Sequence, residues 1–210
     1  MATIIKPPTK LRLKQFEQRP SLALFGSIEQ GKASEWQIVA QEMLKDFDID
    51  IYNPRRDHWD DSLEQSIHNP VFKEQVEWEL MVLENADVRI YYFDPATKSP
   101  VTLIELGLAP CWGSSDTIVV CPEGFWRKGN VDIICQHYGI HMEDNLADAI
   151  YDAISRLVYH YGVKRPKLTN PIINGTSNAI LPDDQIVVHT ETKEDPIPTI
   201  IHELPDIVGG

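Results

Sequence analysis

The amino-acid sequence predicts an α/β fold, in which a doubly wound parallel sheet carries helices on both faces. The candidate strands are unbroken apolar runs, such as "SLALFGS" at residues 21–27 and "TIVVCP" at 117–122, which is typical of strands buried on both sides. Each run is followed by a longer segment with apolar residues at helical spacing. Strands that alternate with helices pair in parallel through right-handed crossovers, which gives this class of fold.

Each strand is predicted from a short apolar run that ends in a turn or polar residue. Residues 21–27 end in Gly-Ser, residues 49–54 end in Asn-Pro, and "DVRIYYFD" at 87–94 ends in an aspartate. The two remaining strands are predicted at 117–122 and 140–142.

Five helices are predicted between and after these strands from their apolar periodicity. They span residues 32–46, 71–86, 100–110, 130–139 and 145–162. In the last one, Leu146, Ile150 and Leu157 share one face, and Gly162 follows as a C-cap. A polar loop is expected at 57–70.

About five strands in fewer than 165 residues favour the flavodoxin-like strand order 2-1-3-4-5. Ligands of such sheets bind at the carboxyl ends of the strands, where the order reverses. The predicted strand ends carry Gly26-Ser27, Asn53-Pro54, Asp94 and Pro122.

The chain divides into three predicted segments. Residues 1–20 are basic, contain three prolines and are interpreted as an N-terminal arm. Residues 21–163 form the α/β domain. Residues 164–210 are rich in Pro, Asn, Asp and Thr, and we expect a C-terminal tail that contacts a neighbouring subunit.

Composition excludes several classes of protein. Of the 210 residues, 42% are hydrophobic, but no run of 18 apolar residues predicts a membrane span. The N-terminus lacks a signal-peptide pattern, and the three cysteines form no CxxC pair, so we expect a cytoplasmic protein with reduced thiols. A net charge of −13 argues against nucleic-acid binding but not against one small phosphorylated ligand. The histidine spacing predicts no metal site.

Glu105 stands in the apolar segment "KSPVTLIELGLAP" at residues 98–110. A lone carboxylate in an apolar helix is costly unless it is paired or hydrogen-bonded. One interpretation places it on the solvated face or in the first turn, where the helix dipole favours an anion. The other interpretation is a first-turn carboxylate beside the ligand crevice, held by backbone amides, which suits a covalent nucleophile.

Glu79, in "QVEWELM", is either a solvated helix residue or a second acid. Two carboxylates that flank a glycosidic bond can divide the chemistry. One attacks the anomeric carbon, and the other handles the proton of the leaving group.

Two loops are candidates for substrate binding. The Gly-rich turn after the first strand contains Gly26, Ser27 and Ile28, and its free amides and hydroxyl suit a sugar 5′-oxygen or a phosphate. The loop "YNPRRDHWDD" offers groups that can stack on and hydrogen-bond a heterocyclic base, namely Asn53, Arg55, Arg56 and Trp59. A tight turn and a salt-bridged surface loop are the structural alternatives.

Together these segments resemble the nucleoside 2-deoxyribosyltransferase-like family, which includes the 2′-deoxynucleoside 5′-phosphate N-hydrolases. The resemblance covers about residues 21–125. It rests on six short motifs in the family's order: "LFGSI" at 24–28, "WQ" at 36–37, "NPRR…W" at 53–59, "QVEWE" at 75–79, "NADV" at 85–88 and "SPVTLIELG" at 99–107.

The resemblance implies a flavodoxin-like sheet, no cofactor and a homo-oligomer. It implies that Glu105 of the ELG motif attacks C1′ of the sugar and holds a glycosyl ester. It also implies that Glu79, eight residues before Asp87, is the acid that contacts the base or the sugar, and that Asp87 is near the substrate. The position six residues before the nucleophile, here Ser99, is aspartate in the transferases and serine in the phosphate-preferring hydrolases.

Two departures from the family pattern stand out. Many relatives have a tyrosine three residues before the strand-end glycine, where its hydroxyl orients the nucleophile. This chain has Ala23 there, so a tyrosine at 91 or 92 is the candidate replacement. The long tail also differs from the short C-terminus of the transferases.

The leading hypothesis is an enzyme that cleaves the N-glycosidic bond of a (deoxy)nucleoside and transfers the deoxyribosyl group to another free nucleobase. One alternative is hydrolysis of a nucleoside 5′-monophosphate, which Ser27 and Ser99 favour. Another is a nucleotide-binding or sensing module without turnover, which Ala23 favours.

Overall fold

A computed structural model describes residues 1–11, 19–28, 33–57 and 62–164. Six parallel strands form one sheet: β1 (Thr3–Ile5), β2 (Ser21–Gly26), β3 (Asp50–Tyr52), β4 (Val88–Tyr92), β5 (Thr117–Val120) and β6 (His141–Glu143). Their order across the sheet is β1-β3-β2-β4-β5-β6. Without the edge strand β1 this is the 2-1-3-4-5 order, and the predicted flavodoxin-like α/β fold is confirmed.

Five α-helices follow the strands: α1 (Trp36–Leu44), α2 (Pro70–Asn85), α3 (Pro100–Leu108), α4 (Lys128–Tyr138) and α5 (Leu146–Tyr161). All five predicted helices are present. Their observed ends differ from the predicted ones by up to four residues, because capping groups rather than apolar spacing fix a helix end.

The sheet has a hydrophobic core on each face, because alternate residues of every strand point to opposite sides. On one face, Phe25, Tyr91 and Val119 pack with α2, α3 and α4, through residues such as Trp78 and Leu106. On the other face, strand residues pack with α1 and α5: Leu24, Ile90 and Ile118 with Ala40 and Leu157. Both faces are therefore covered, as the apolar strands predicted.

Local signals fix the start of the two helices that carry the candidate carboxylates. Asn69 caps α2, since its Oδ1 accepts hydrogen bonds from the backbone amides of Val71 (3.1 Å) and Phe72 (3.2 Å). Pro70 and Pro100 occupy first positions of α2 and α3, where the missing amide costs no hydrogen bond. The polar loop predicted at 57–70 therefore ends one residue earlier than expected.

Strand β1 was not predicted from the sequence. It lies within the residues interpreted as an N-terminal arm and pairs with β3, with Thr3 opposite Asp50 and Ile5 opposite Tyr52. Its side chains are exposed or only half-buried, so no apolar pattern in the sequence predicts this three-residue edge strand.

The tail after residue 164 lies outside the described residues. None of the described helices is long and apolar enough to cross a membrane.

Candidate active site

The carboxyl ends of β2 and β4 lie side by side at the point where the strand order reverses. Gly26 is opposite Tyr92, and the Ser27 amide donates to the Tyr92 carbonyl at 2.9 Å. Gly26 has a φ of +156°, and a Cβ there would lie 2.5 Å from the Tyr92 carbonyl oxygen and 2.7 Å from Trp36 Cζ2. Only glycine therefore allows the chain to turn here.

Three buried hydroxyl groups meet beside this turn. The Ser27 and Ser99 hydroxyls are 2.6 Å apart, and Thr97 Oγ1 lies 2.9 Å from Ser27 Oγ and 2.8 Å from Ser99 Oγ. Ser99 adopts a left-handed conformation, with φ of 46°, directly before α3. The sequence-predicted residues Ser27 and Ser99 are thus brought together, although 72 positions separate them.

Main-chain and carboxylate contacts hold this hydroxyl cluster in place. The Asp94 amide donates to Ser27 Oγ at 2.8 Å, and Trp36 Nε1 donates to the Ser27 carbonyl at 3.0 Å. The Asp94 carboxylate accepts from both the amide and the hydroxyl of Ser34, each at 2.9 Å. Burial acts to raise the pKa of Asp94, but the hydrogen bonds from Ser34 and Ala96 outweigh it and lower the pKa.

Glu105 lies in the second turn of α3, with its side chain turned into the protein. It is only 9% exposed, and none of the described residues donates a hydrogen bond to its carboxyl group. Burial, followed by the charge of Glu79, raises the pKa of Glu105 well above its ordinary value. Both positions predicted for the Glu105 carboxyl group are wrong. The solvated position is wrong because the side chain is buried. The first-turn position held by backbone amides is wrong because α3 begins at Pro100 and its interior amides bond within the helix.

Tyr91 contacts the main chain of Glu105. Its hydroxyl donates to the main-chain carbonyl of Glu105 at 3.3 Å, and its ring stacks on Phe25. Burial and then the charge of Glu105 raise its pKa well above the usual value. Tyr92, the other candidate, packs against Trp36 on the opposite face of the sheet.

Glu79 is the second carboxyl group and comes from α2. Gln75 Nε2 donates to its Oε1 at 2.8 Å. Burial raises the pKa of Glu79, while the Gln75 hydrogen bond and the charge of Arg56 act in the opposite direction. Two carboxyl groups from neighbouring helices therefore interact electrostatically, and one of them has a hydrogen-bond donor that the other lacks.

The loop after β3 lies against α1 and α2. Asn53 is 2% exposed, and its Oδ1 accepts from the Arg55 amide at 2.9 Å. The Arg55 guanidinium is 3.9 Å from Glu35, and its Nη1 is buried without a hydrogen-bond partner among the described residues. Arg56 Nε donates to Gln75 Oε1 at 2.5 Å. Trp59, expected to stack on a base, lies outside the described residues.

Two further residues, Ile28 and Asp87, were predicted to bind substrate. Ile28 follows Ser27 and is half-buried. Asp87 precedes β4, at the amino edge of the sheet, where its Oδ2 accepts from the Ser21 amide (2.9 Å) and hydroxyl (2.8 Å). The structure does not bring Asp87 together with Ser27 and Ser99, because these residues follow the strands at the opposite, carboxyl edge.

Sequence reasoning missed Gln75 and Thr97 as site residues. Gln75 appears in the sequence only as part of the motif "QVEWE", and its position one helical turn before Glu79 is the available signal. Thr97 gave no signal, since its contacts with Ser27 and Ser99 depend on the path of the loop after β4.

One group of possible metal ligands exists among the described residues, away from both candidate carboxylates in the fold. His141 and Glu143 of β6 and Asp152 of α5 have ligand atoms within 4.8 Å of one another. Arg156 already binds both carboxylate oxygens of Asp152, at 3.1 and 2.6 Å. We assign no metal to this group, since surface acids often cluster without one.

Comparison with known proteins adds one finding. A family model described as "Nucleoside 2-deoxyribosyltransferase like" matches residues 19–125, just over half of the chain. The matched range contains β2, α1, β3, α2, β4, α3 and β5, and so it includes both Glu79 and Glu105. No curated protein matches the sequence significantly.

Proposed function

The chain belongs to the nucleoside 2-deoxyribosyltransferase-like family, and on this premise we propose that it cleaves the N-glycosidic bond of a (deoxy)nucleoside through a glycosyl ester on Glu105. In the second half of the proposed reaction, another free nucleobase receives the deoxyribosyl group.

The observation that supports this proposal best is the pair of carboxyl groups from α2 and α3. Glu105 is buried without a hydrogen-bond donor among the described residues, and Glu79 is close enough for its charge to raise the pKa of Glu105. Burying a carboxyl group in this way destabilises a fold, so a purely structural role does not explain it. A nucleophile and an acid that flank one bond do explain it.

In the proposed first step, a carboxylate oxygen of Glu105 attacks C1′ of the sugar. The bond between C1′ and the base nitrogen breaks, its electron pair goes to the base, and Glu79 gives the base a proton. In the second step, the nitrogen of an incoming base attacks C1′, its proton passes to the Glu79 carboxylate, and the Glu105 carboxylate leaves.

The hydroxyl cluster of Ser27, Thr97 and Ser99 is the proposed site for the 5′ end of the sugar. Ser99 precedes Glu105 by six residues, which corresponds to about 9 Å along the helix axis. Asn53, Arg55 and Arg56 of the loop after β3, with Trp59, are proposed to contact the base. Gly26 and Ile28 complete the turn that carries Ser27.

A second candidate function is hydrolysis of a nucleoside 5′-monophosphate, and the hydroxyl cluster favours it. Hydroxyl groups can donate to a phosphate, whereas a carboxylate at position 99 would repel it. In this case water, rather than a base, attacks the Glu105 ester.

The test is an exchange assay with deoxynucleosides and deoxynucleoside 5′-monophosphates, each incubated with an isotope-labelled second base. Labelled nucleoside indicates transfer, and free sugar or sugar phosphate indicates hydrolysis. Acid-quenched protein is digested and its peptides are weighed; we expect a deoxyribosyl adduct on the peptide that contains Glu105.

Matched carboxyl variants make the assay specific. Glu105→Gln should abolish cleavage and the adduct, and Glu79→Gln should slow cleavage most for bases that are poor leaving groups. Glu77→Gln, on the exposed side of α2, should leave both unchanged. Tight binding of intact nucleotide without cleavage, and without any effect of Glu105→Gln, would instead identify a sensing module.

We also propose a homo-oligomer. The outer face of α3 exposes apolar side chains at helical spacing, with Val101 56% and Ile104 66% exposed, and a second copy would cover them. Light scattering of the wild type and of Ile104→Glu tests this; a monomeric wild type contradicts it.

A further inference from the structure

Three hydrogen bonds hold the buried side-chain amide of Gln75. Its Nε2 donates to Glu79 Oε1 at 2.8 Å and to the Pro54 carbonyl at 3.0 Å. Its Oε1 accepts from Arg56 Nε at 2.5 Å. The side chain is 7% exposed. Because Arg56 can only donate and the Pro54 carbonyl can only accept, the amide has one possible orientation, and it presents an N–H to Glu79.

This orientation makes the two carboxyl groups unequal. An N–H that donates to a carboxylate stabilises its charged form, and the charge of Arg56 does the same for Glu79. Glu105 receives no hydrogen bond from the described residues. Burial raises the pKa of both carboxyl groups. Among the described residues, only Glu79 has neighbouring groups that act to lower its pKa.

The other titratable groups do not reverse this inequality. Glu105 of α3 interacts with Glu79 from α2 and with Tyr91 from β4. Tyr91 donates its hydroxyl hydrogen to the Glu105 carbonyl rather than to the carboxyl group. On the side of Glu79, Arg56 comes from the loop after β3, and its Nη2 lies 3.5 Å from Glu74 of α2.

We propose that Gln75 is a positioning residue that keeps Glu79 as the charged member of the pair, so that Glu105, rather than Glu79, carries a proton in the free protein. This inference rests on the proposed function for its second part, the use of that proton in the reaction. Substrate binding moves the proton from Glu105 to Glu79. The same transfer creates the nucleophile and the acid.

The step balances with one proton. Before it, Glu105 is a carboxylic acid and Glu79 is a carboxylate. The proton passes to Glu79, a Glu105 oxygen bonds to C1′, the bond from C1′ to the base nitrogen breaks with its electron pair on the base, and Glu79 protonates that nitrogen. The products are the Glu105 ester, the Glu79 carboxylate and the neutral base.

The placement of the proton is tested without turnover, by carbon-13 NMR of the glutamate carboxyl groups as a function of pH. Glu79→Gln and Glu105→Gln assign the two signals. In the wild type we expect Glu105 to take up its proton at higher pH than Glu79. In Gln75→Leu, the titration of Glu79 should move upward by about one to two pH units, the effect of losing one hydrogen bond to a charged group.

Two further variants keep the test decisive. Gln75→Leu leaves Arg56 and the Pro54 carbonyl without a partner and could unfold the protein. Gln75→Asn keeps an uncharged amide but shortens the side chain, so that its N–H no longer reaches Glu79, and it should shift Glu79 in the same direction without adding a charge. Gln41→Leu is the matched control on α1, where the Nε2 of Gln41 is buried and has no hydrogen-bond partner in the part of the chain that the structure describes, and should shift neither signal.

Two outcomes would overturn the placement: a Glu79 signal that titrates above that of Glu105 in the wild type, or Gln75 variants with unchanged titrations. Kinetics then test the use of the proton. We expect Gln75→Leu to shift the pH profile of kcat in the same direction as the titration of Glu79, with little change in KM. If the titrations are as expected but the wild type cleaves no glycosidic bond, the proposed function fails while the placement of the proton stands.

Discussion

The hydroxyl of Ser27, at the end of β2, lies 2.6 Å from the hydroxyl of Ser99, at the start of α3. This contact joins the two loops that border the point where the strand order reverses. Both side chains are buried, at 1% and 6% exposure, and Thr97 bonds to each of them.

The first prediction concerns the 5′ end of the substrate. A carboxylate at position 99 would repel a phosphate next to Ser27, so Ser99→Asp should raise the KM for a nucleoside 5′-monophosphate about 10- to 100-fold relative to the parent nucleoside. Steady-state kinetics with the two substrates measure this ratio. Ser99→Ala removes a hydroxyl without adding charge and should change the ratio less. An equal effect of Ser99→Asp on both substrates would place the phosphate elsewhere.

The second prediction concerns stability as a function of pH. The pKa of Glu105 is raised by burial and by Glu79, so the folded protein holds this proton more tightly than the unfolded chain. Its contribution to stability is fully present below the ordinary carboxyl pKa and is lost as the pH rises through the raised value. One such proton changes the free energy of unfolding by at most about 1.4 kcal/mol per pH unit.

Glutamine cannot titrate, so Glu105→Gln should flatten this decline and unfold at higher denaturant concentration than the wild type above neutral pH. Urea unfolding at a series of pH values measures it. Glu84→Gln, on an exposed position of α2, is the control and should keep the wild-type slope. A Glu105→Gln protein with an unchanged slope would mean that Glu105 is not the group responsible.

The third prediction concerns Tyr91. Its hydroxyl supports α3 at the Glu105 carbonyl, and that carbonyl also accepts the helix hydrogen bond from Ala109. Tyr91→Phe should therefore cost only about 1 kcal/mol of stability, but it should lower kcat by reducing the precision with which Glu105 is held. Thermal unfolding and kinetics separate the two effects. Tyr92→Phe changes the neighbouring residue on the opposite face and should preserve kcat; equal losses in both variants would argue against a special role for Tyr91.

The fourth prediction concerns Gly26. Alanine would place a Cβ 2.5 Å from the Tyr92 carbonyl oxygen, at a φ of +156°, so Gly26→Ala should destabilise the protein by about 2–4 kcal/mol. Gly129 of α4 has open space around its Cα, and Gly129→Ala should be neutral or slightly stabilising. Denaturant unfolding compares the two. A Gly26→Ala protein as stable as the wild type would mean that β2 and β4 separate at this end without cost.

The sequence by itself predicted the α/β fold, five of the six strands with their order, the five helices and the family. Strands such as Leu22–Phe25 are buried on both faces and therefore apolar at every position, and helix caps such as Gly162 act within a few residues. These signals are local, so they can be read along the chain. Glu79 and Glu105 also belong to short motifs, and their catalytic roles stay predictions.

Only the tertiary structure decided how those residues interact. Gln75 contacts Arg56 of the loop after β3, and Ser27 contacts Ser99 across 72 positions of the chain. Asp87 lies at the amino edge of the sheet, away from both serines. None of these arrangements has a periodic signal in the sequence. The edge strand β1 was missed because its side chains are exposed or only half-buried, so that its pairing with β3 leaves no apolar pattern in the sequence. The burial that raises the pKa of Glu105 comes from neighbours that folding brings together, and a sequence fixes spacing along the chain but not the surroundings of a side chain.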